Sequence, residues 1–144
     1  MNPLDLYANI EQHLDFQDEI RTLHRYFLKE VLEQNIQNVL DVGCGQGEFL
    51  ETLKLNKVTC SGVDLSQSQI DFATKRGVDA KCVDLKDINK QYPCLTAIFD
   101  VINYIPKKEL EDFFRASYRA LQKDGIFIFD INSPIPMIGA SGAI

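Results

Sequence analysis

The sequence predicts an α/β fold in which a mainly parallel β-sheet is covered by helices on both faces, as a three-layer αβα sandwich. Short β-favouring runs alternate with amphipathic helical segments along the chain, which is the pattern of consecutive βαβ units. The predicted strands are apolar on both faces, as in parallel sheets that are buried on both sides. The chain has 144 residues, of which 45% are hydrophobic and 25% charged, and this composition suits one globular domain.

The first predicted element is a long amphipathic helix from about Glu11 to Gln34. Its apolar side chains recur at helical spacing and form one face that has to pack against another element. We therefore predict three parts: residues 1–37 as a helical segment on the sheet, residues 38–134 as the core, and residues 135–144 as a short tail. The apolar face consists of Leu14, Ile20, Leu23, Phe27 and Val31.

Five strands are predicted to follow, separated by helices or loops. The first leads into a short helix, GEFLETLK, and Ser66 is placed to cap a second helix that runs to about Lys75. A loop around Pro93 precedes the fourth strand, and a helix from Lys107 to Gln122 ends at Asp124-Gly125. Right-handed connections make the first strand central and gather ligands at its C-terminal end. The predicted strands are NVLDV (38–42), VTCSGVDL (58–65), KCVDL (81–85), LTAIF (95–99) and IFIFDI (126–131).

Composition and charge exclude several classes of function. Fifteen Lys and Arg residues against twenty-one Asp and Glu residues give a net charge of -6, which repels a phosphate backbone, so no nucleic-acid partner is predicted. The longest apolar runs are far below the roughly 18 residues of a membrane span, so no membrane partner is predicted. The four cysteines lack metal-ligand spacing, so no metal site is predicted. Free thiols without an N-terminal signal favour a cytoplasmic location.

The most informative segment is NVLDVGCGQGEF, from Asn38 to Phe49. Gly43, Gly45 and Gly47 allow a tight turn between strand and helix, in which the backbone can approach a ligand closely. The amides at the start of the helix then offer hydrogen-bond donors and partial positive charge. A glycine-rich turn can also be purely structural, so the spacing alone leaves both interpretations open.

Two features of this segment argue against a dinucleotide. The spacing is GxGxG, and Glu48 stands where the dinucleotide fingerprint GxGxxG would continue. Asp41, two residues before the first glycine, would also confront a diphosphate with a like charge. A cationic or zwitterionic ligand suits the turn better.

Two further aspartates lie at predicted strand ends. Asp64 ends the second strand, where its carboxylate can accept hydrogen bonds from both hydroxyls of a ribose; the alternative is a charge at a helix N-terminus. Asp84 and Leu85 end the third strand, where the Asp84 carboxylate and the Leu85 amide could meet an adenine ring. Asp84 could equally be an exposed loop residue, and Asp87 could take its place.

These motifs, together with FDVINYI and GIFIFDINSP, resemble the class I S-adenosylmethionine-dependent methyltransferases from about Asn38 to Pro134, and most closely the bacterial small-molecule type. The resemblance implies a Rossmann-like fold with strand order 3-2-1-4-5, and the predicted departure from the family is the lack of its usual final antiparallel strand pair. It also implies that the glycine turn holds the methionine part of the cofactor S-adenosylmethionine and that Phe99 and Asp100 border the methyl donor. The cofactor-binding residues predicted in this way are Asp41, Gly43, Cys44, Gly45, Gly47, Asp64, Leu65, Asp84, Leu85 and Phe99.

The methyl acceptor is predicted to be a small molecule, and the sequence does not identify it. Asp100, Asn103, Tyr104 and Asp130 are the predicted catalytic residues, with Asn132 nearby, because they are polar and close to the predicted pocket. Loop solvation and turn capping are the alternative roles for each of them. The two histidines, His13 and His24, are predicted to be partly exposed helix residues without a catalytic role.

The last strand raises two further possibilities. The strand Ile126–Ile131 is apolar until Asp130 and is predicted to lie at a sheet edge, so either the chain forms a homodimer through this edge or the sequence is part of a longer enzyme. The leading functional prediction is a methyltransferase. A non-catalytic S-adenosylmethionine-binding domain is the first alternative, and a nicotinamide-dependent oxidoreductase is the second.

Overall fold

The computed structural model describes residues 17–132, which form one five-stranded sheet with helices on both faces. The strand order is β3-β2-β1-β4-β5, and every neighbouring pair is parallel. The predicted order and the central position of the first strand are therefore confirmed. The strands are β1 Asn38–Val42, β2 Thr59–Asp64, β3 Ala80–Cys82, β4 Tyr92–Ala97 and β5 Leu121–Phe129, and the α-helices are α1 Gln17–Glu33, α2 Glu48–Leu55, α3 Gln67–Arg76 and α4 Leu110–Ala120.

Alternate residues of β1 point to the two apolar layers that hold the sandwich together. Val39 lies in a cluster with Phe27 of α1 and Phe49 of α2, whereas Leu40 lies in a second cluster with Ala116 of α4. A strand sends successive side chains to opposite faces, so these two clusters place the helices on both sides of the sheet. The three-layer arrangement is confirmed.

The first helix brings its N-terminal half close to the ligand-binding edge of the sheet. Only a short connection separates α1 from β1, so α1 runs back along the sheet and begins near the C-terminal end of β1. Val31 is fully buried and Phe27 nearly so, because the apolar face of the helix packs over β1 and β4. The predicted part of this helix before Gln17, including Leu14, lies outside the described residues.

The boundaries between α4, β4 and β5 differ from the prediction. Strand β4 includes Pro93 as its second residue rather than starting after it, and the pairing with β5 is irregular between Tyr92 and Cys94. Because proline has no amide hydrogen, an irregular stretch of an outer strand pair can accommodate it. Helix α4 ends at Ala120, not at Gln122, and the Asp124-Gly125 signal marks a bend within β5, where Asp124 has a φ of 62°.

Strand β5 lies at one edge of the sheet and is only partly covered. It pairs with β4 alone, and among residues 17–132 no further strand follows it. Phe129 is 37% exposed, and the Phe127 and Phe129 rings lie 5.0 Å apart and also contact Phe114 of α4. The edge position predicted for this strand is confirmed, although Asp130 and Ile131 lie beyond its end.

Candidate active site

A cavity of about 290 Å³ opens at the C-terminal ends of the parallel strands, close to the size of small-molecule pockets. Its walls come from the loop after β1, the ends of β2 and β3, the loop after β4, and helix α1. This is the position where an open parallel sheet binds ligands, because the loops on either side of the central strand diverge there. The predicted switch point at the end of β1 is therefore also the site of the cavity.

The glycine turn after β1 depends on close contacts that exclude larger residues. All three glycines have a positive φ, and a Cβ on Gly43 would lie 2.6 Å from a methyl carbon of Val101 in the loop after β4. A Cβ on Gly47 would lie 2.6 Å from Val78 and 3.1 Å from the Cβ of Ala73 in α3. The turn is therefore fitted between neighbouring segments, and its shape is set before any ligand arrives.

Two contacts that the sequence did not predict also hold the turn. A Cβ on Gly62 in β2 would lie 2.6 Å from the Cβ of Cys44, so only glycine lets the turn pack against β2. From α3, the Arg76 Nε donates to the Gln46 carbonyl at 3.0 Å, and the same guanidinium lies 3.8 Å from the Glu48 carboxylate. Neither partner is close in sequence, so local patterns gave no signal for them.

Asp64 joins the glycine turn to the next helix. Its Oδ2 accepts a hydrogen bond from the Gly45 amide at 2.9 Å, and its Oδ1 accepts one from the Ser66 amide at 2.9 Å. Ser66 caps α3 as predicted, because its Oγ accepts from the Gln69 amide at 3.3 Å. Each carboxylate oxygen can accept more than one hydrogen bond, so Asp64 can hold the turn and still bind a ligand hydroxyl.

The segment after β3 brings Asp84 and Leu85 to the cavity, together with Leu65 just after β2, and β3 itself ends at Cys82 rather than at Leu85 as predicted. Asp84 Oδ1 accepts a hydrogen bond from the Lys86 amide at 3.0 Å and so caps a single 3₁₀ turn, Leu85–Asp87. Asp87 is exposed and is not among the residues that line the cavity. The structure therefore favours Asp84 over Asp87 as the residue that could meet an adenine.

Asp41 is buried at the base of the cavity, with only 3% of its surface exposed. The hydroxyl of Thr96, on the neighbouring strand β4, donates to its Oδ1 at 2.7 Å. Burial raises the pKa of the Asp41 carboxyl to about 7, while the Thr96 hydrogen bond partly opposes this shift and the nearby Asp64 adds to it. The negative charge that Asp41 would present to a diphosphate is therefore reduced near neutral pH, and the argument against a dinucleotide stays a prediction.

The loop after β4 forms the opposite rim of the cavity and has an unusual backbone. Phe99 and Asp100 have φ values of 63° and 68°, a left-handed backbone conformation that residues other than glycine rarely adopt. The Asp130 carboxylate, just after β5, accepts hydrogen bonds from the Phe99 amide at 2.7 Å and the Asp100 amide at 3.5 Å. These contacts stabilise the strained pair and hold Phe99 against the cavity.

Asn103 and Asn132 hold the same rim from the other side. The Asn103 side chain both donates to the Asn132 carbonyl at 2.6 Å and accepts from the Asn132 amide at 3.0 Å. The Asn132 side chain donates to Asp100 Oδ1, and desolvation raises the pKa of the Asp100 carboxyl. Of the four predicted catalytic residues, only Tyr104 lines the cavity; Asp100, Asn103 and Asp130 do not, and they shape its rim instead.

Helix α1 supplies cavity residues that the sequence analysis did not assign to the site. Ile20 and His24, one helical turn apart, both line the cavity. The His24 ring lies 5.3 Å from the Phe49 ring, and burial lowers the pKa of the imidazole to about 4. His24 follows Ile20 by four residues on the predicted apolar face, so the helical period itself was the available signal. His13 lies outside the described residues.

The fold and the site together define an α/β nucleotide-type binding domain with a carboxylate beside a glycine turn. A family model described as "Methyltransferase domain" matches residues 39–125, which is more than half of the chain. The chain belongs to this family, and the resemblance to S-adenosylmethionine-dependent methyltransferases is confirmed. Its cofactor is accordingly S-adenosylmethionine.

Individual relatives agree with the family. A protein of Geobacillus sp. (strain WCH70), named "Putative methyltransferase", is 29% identical over 120 residues, covering 76% of this chain and 48% of the relative. A protein of Dictyostelium discoideum, named "Probable 18S rRNA (guanine-N(7))-methyltransferase", is 28% identical over 122 residues, covering 72% of this chain and 42% of the relative. The structure of an S-adenosylmethionine-dependent methyltransferase from Clostridium acetobutylicum matches with a TM-score of 0.69 and 28% identity, covering 89% of this chain and 55% of that one.

The chain spans about half the length of the curated relatives that it matches. The matched part contains the glycine turn, strands β2, β3 and β4, all of β1 but its first residue, and the first five residues of β5. Within residues 17–132, no helix is both long enough and apolar enough to cross a membrane.

Proposed function

We propose that this protein transfers the methyl group of S-adenosylmethionine to a small-molecule acceptor. The observation that carries the proposal is one continuous cavity with two different walls. The wall formed by β1, β2 and β3 has backbone amides and the carboxylates Asp64 and Asp84, whereas the wall formed by α1 and the loop after β4 is mostly apolar. One wall suits a nucleoside with a charged tail, and the other suits an uncharged acceptor next to it.

The residues present fit the cofactor. Asp41 and Asp64 offer carboxylates near the glycine turn, and a sulfonium compound with an ammonium group is a cation that such a surface attracts. The Asp64 carboxylate would accept hydrogen bonds from the ribose hydroxyls, Asp84 and Leu85 would border the adenine, and Phe99 would lie beside the sulfur. When bound, the cofactor supplies an already activated methyl group, so the protein mainly has to align the acceptor and exclude water.

The charges in the cavity support an acceptor that is neutral or cationic. Five carboxylate side chains line it, and none of the described lining residues is a lysine or arginine: Asp41, Glu48, Asp64, Asp84 and Glu109. A phosphate or carboxylate acceptor would meet repulsion with no cation to offset it. The same argument disfavours an RNA acceptor, because nucleic-acid binding depends on lysine and arginine contacts to phosphates.

Two other expectations stay predictions. The acidic chain with unpaired cysteines favours a cytoplasmic enzyme, and the partly covered edge of β5 favours a homodimer through Ile126–Ile131. Light scattering coupled to size-exclusion chromatography measures the second directly. A monomer at micromolar concentration would contradict it.

Calorimetry with S-adenosylmethionine, S-adenosylhomocysteine and NAD tests the cofactor, and methyl-labelled S-adenosylmethionine mixed with a small-molecule filtrate of a bacterial extract tests the transfer. We expect binding of the first two compounds, no binding of NAD, and a labelled product that depends on the protein. Tight binding of NAD alone would contradict the cofactor. Binding of S-adenosylmethionine without any transfer would favour a non-catalytic binding domain.

A further inference from the structure

His24 is a half-buried side chain that the proposed function has not yet used. It projects from the first half of α1 into the cavity and lies over the ring of Phe49. Among residues 17–132, no side chain or backbone group forms a hydrogen bond with its imidazole, although the polar groups around the glycine turn and the rim are extensively paired. A polar side chain that lines a cavity without a protein partner can bind a ligand group there.

The position of α1 places His24 on the acceptor side of the cavity. Three cofactor contacts are expected along β1, β2 and β3, at the glycine turn, Asp64 and Asp84. Helix α1 packs instead over β1 and β4, because its residue Phe27 lies in one cluster with Val39 of β1, Cys94 of β4 and Ile98 just after β4. His24 lies over Phe49, which belongs to the same cluster as Ile98 and against which Phe99 also packs, whereas Leu85, at the expected adenine position, lies in the cluster on the opposite face.

Burial sets the ionisation state of the imidazole and makes it a weaker base than an exposed histidine. Burial lowers its pKa to about 4, so the ring is uncharged at neutral pH and one nitrogen carries a lone pair. A neutral imidazole does not repel a cationic cofactor, whereas a lysine at this place would. The apolar neighbours Ile20 and Phe49 keep the ring in place without competing for its nitrogens.

Resting on the proposed function, we infer that His24 contacts the methyl acceptor and takes the proton that the acceptor loses. The lone pair of the acceptor atom forms a bond to the methyl carbon, and the carbon–sulfur bond breaks with its electron pair left on sulfur, giving S-adenosylhomocysteine. The proton of the acceptor hydroxyl or amine passes to the free imidazole nitrogen and then to water. No metal, oxidant or further reactant is needed for this balance.

The first test is a nuclear Overhauser measurement on the full chain with S-adenosylmethionine labelled at the methyl carbon. We expect a contact between the methyl protons and the His24 ring protons. Contacts of the ring with the methionine carbons of the cofactor, or none with the cofactor at all, would overturn the inference. This test does not depend on knowing the acceptor. If the cofactor does not bind, the proposed function itself is contradicted, and the inference about His24 is rejected with it.

The second test compares variants in the labelled-methyl assay with the bacterial filtrate. His24→Phe keeps a ring over Phe49 but has no nitrogen, so we expect transfer to fall by roughly 10²-fold, with the dissociation constant for S-adenosylmethionine changed by less than about twofold. His24→Gln can accept a hydrogen bond but not a proton, so its rate of transfer should lie between those of the parent and of His24→Phe. Tyr26→Phe, on the exposed side of the same helix, is the control and should match the parent. Full activity of His24→Phe would overturn the inference.

Discussion

The loops after β1 and after β4 face each other across the cavity, but they are held in different ways. The loop after β1 is shaped by glycines whose missing side chains leave room for Val101, Val78 and Ala73. The loop after β4 has no glycine, and two ordinary residues, Phe99 and Asp100, adopt the left-handed conformation there. What stabilises them is a carboxylate and two asparagines from segments about 30 residues apart.

The cavity wall formed by the loop after β1 is therefore shaped by the backbone, whereas the wall formed by the loop after β4 depends on side-chain hydrogen bonds. Glycine contacts exclude alternatives sterically, so the cofactor wall should be rigid without a ligand. The rim after β4 stays in place only while Asp130, Asn103 and Asn132 keep their hydrogen bonds, and a strained backbone costs about 1–3 kcal/mol per residue. The proposed acceptor site therefore lies on the wall that can change more easily.

The largest expected effect comes from a substitution in the glycine turn after β1. Gly47→Ala places a methyl group against Ala73 and Val78 at a φ of 83°, so we expect a stability loss of about 2–4 kcal/mol and a roughly 30- to 100-fold loss of S-adenosylmethionine affinity. Thermal unfolding and calorimetry measure the two quantities.

Gly77→Ala is the matched control for this substitution. Gly77 has a similar φ of 87° but no atom within 4 Å of an added Cβ, so only backbone strain of about 1 kcal/mol is expected, with unchanged cofactor affinity. Equal behaviour of the two variants would contradict the packing argument for Gly47.

The next effect concerns the carboxylate that links the glycine turn to β2. Asp64→Ala removes the acceptor of the Gly45 and Ser66 amides and the proposed ribose contact, so cofactor affinity should fall about ten-fold or more. Asp87→Ala, an exposed carboxylate away from the cavity, serves as the control in the same calorimetry. Unchanged affinity of the Asp64 variant would remove the ribose role.

A smaller effect follows from the pKa of Asp41. A cation binds more tightly to the ionised carboxylate, so affinity for S-adenosylmethionine should rise up to about tenfold between pH 5.5 and 7.5 and then level off. Because the folded pKa is raised, the free energy of unfolding of the ligand-free protein should fall as pH rises from about 4 to about 7. Asp41→Asn should flatten both profiles, and a variant that keeps the parent's slopes would contradict the assignment.

The smallest effect on cofactor affinity should come from a substitution that loosens the loop after β4. Asp130→Ala removes the partner of the Phe99 amide, so hydrogen exchange at Phe99 and Asp100 should speed up by roughly 10-fold or more, with exchange in residues 43–47 unchanged. Cofactor affinity should change by less than about threefold. Faster exchange in both loops would show that they are not held independently.

The same difference explains what could be predicted from the sequence. The glycine turn, Asp64 and the strand order follow from local signals, since each depends on residue type at a fixed place relative to a strand. The roles of Asp130 and Asn103 could not be predicted, because their partners are about 30 residues away and their polarity alone indicated catalysis. His24 was missed for a third reason: its helix period was visible, but its neighbours across the cavity were not.

The most direct measurement is a crystal structure of the chain with S-adenosylmethionine. We predict electron density for the adenosyl group along the ends of β1, β2 and β3, with the ribose hydroxyls on the Asp64 carboxylate and the methyl group directed toward the β4 rim. An empty cavity at saturating cofactor, or an adenosyl group bound elsewhere on the surface, would contradict this account of the site.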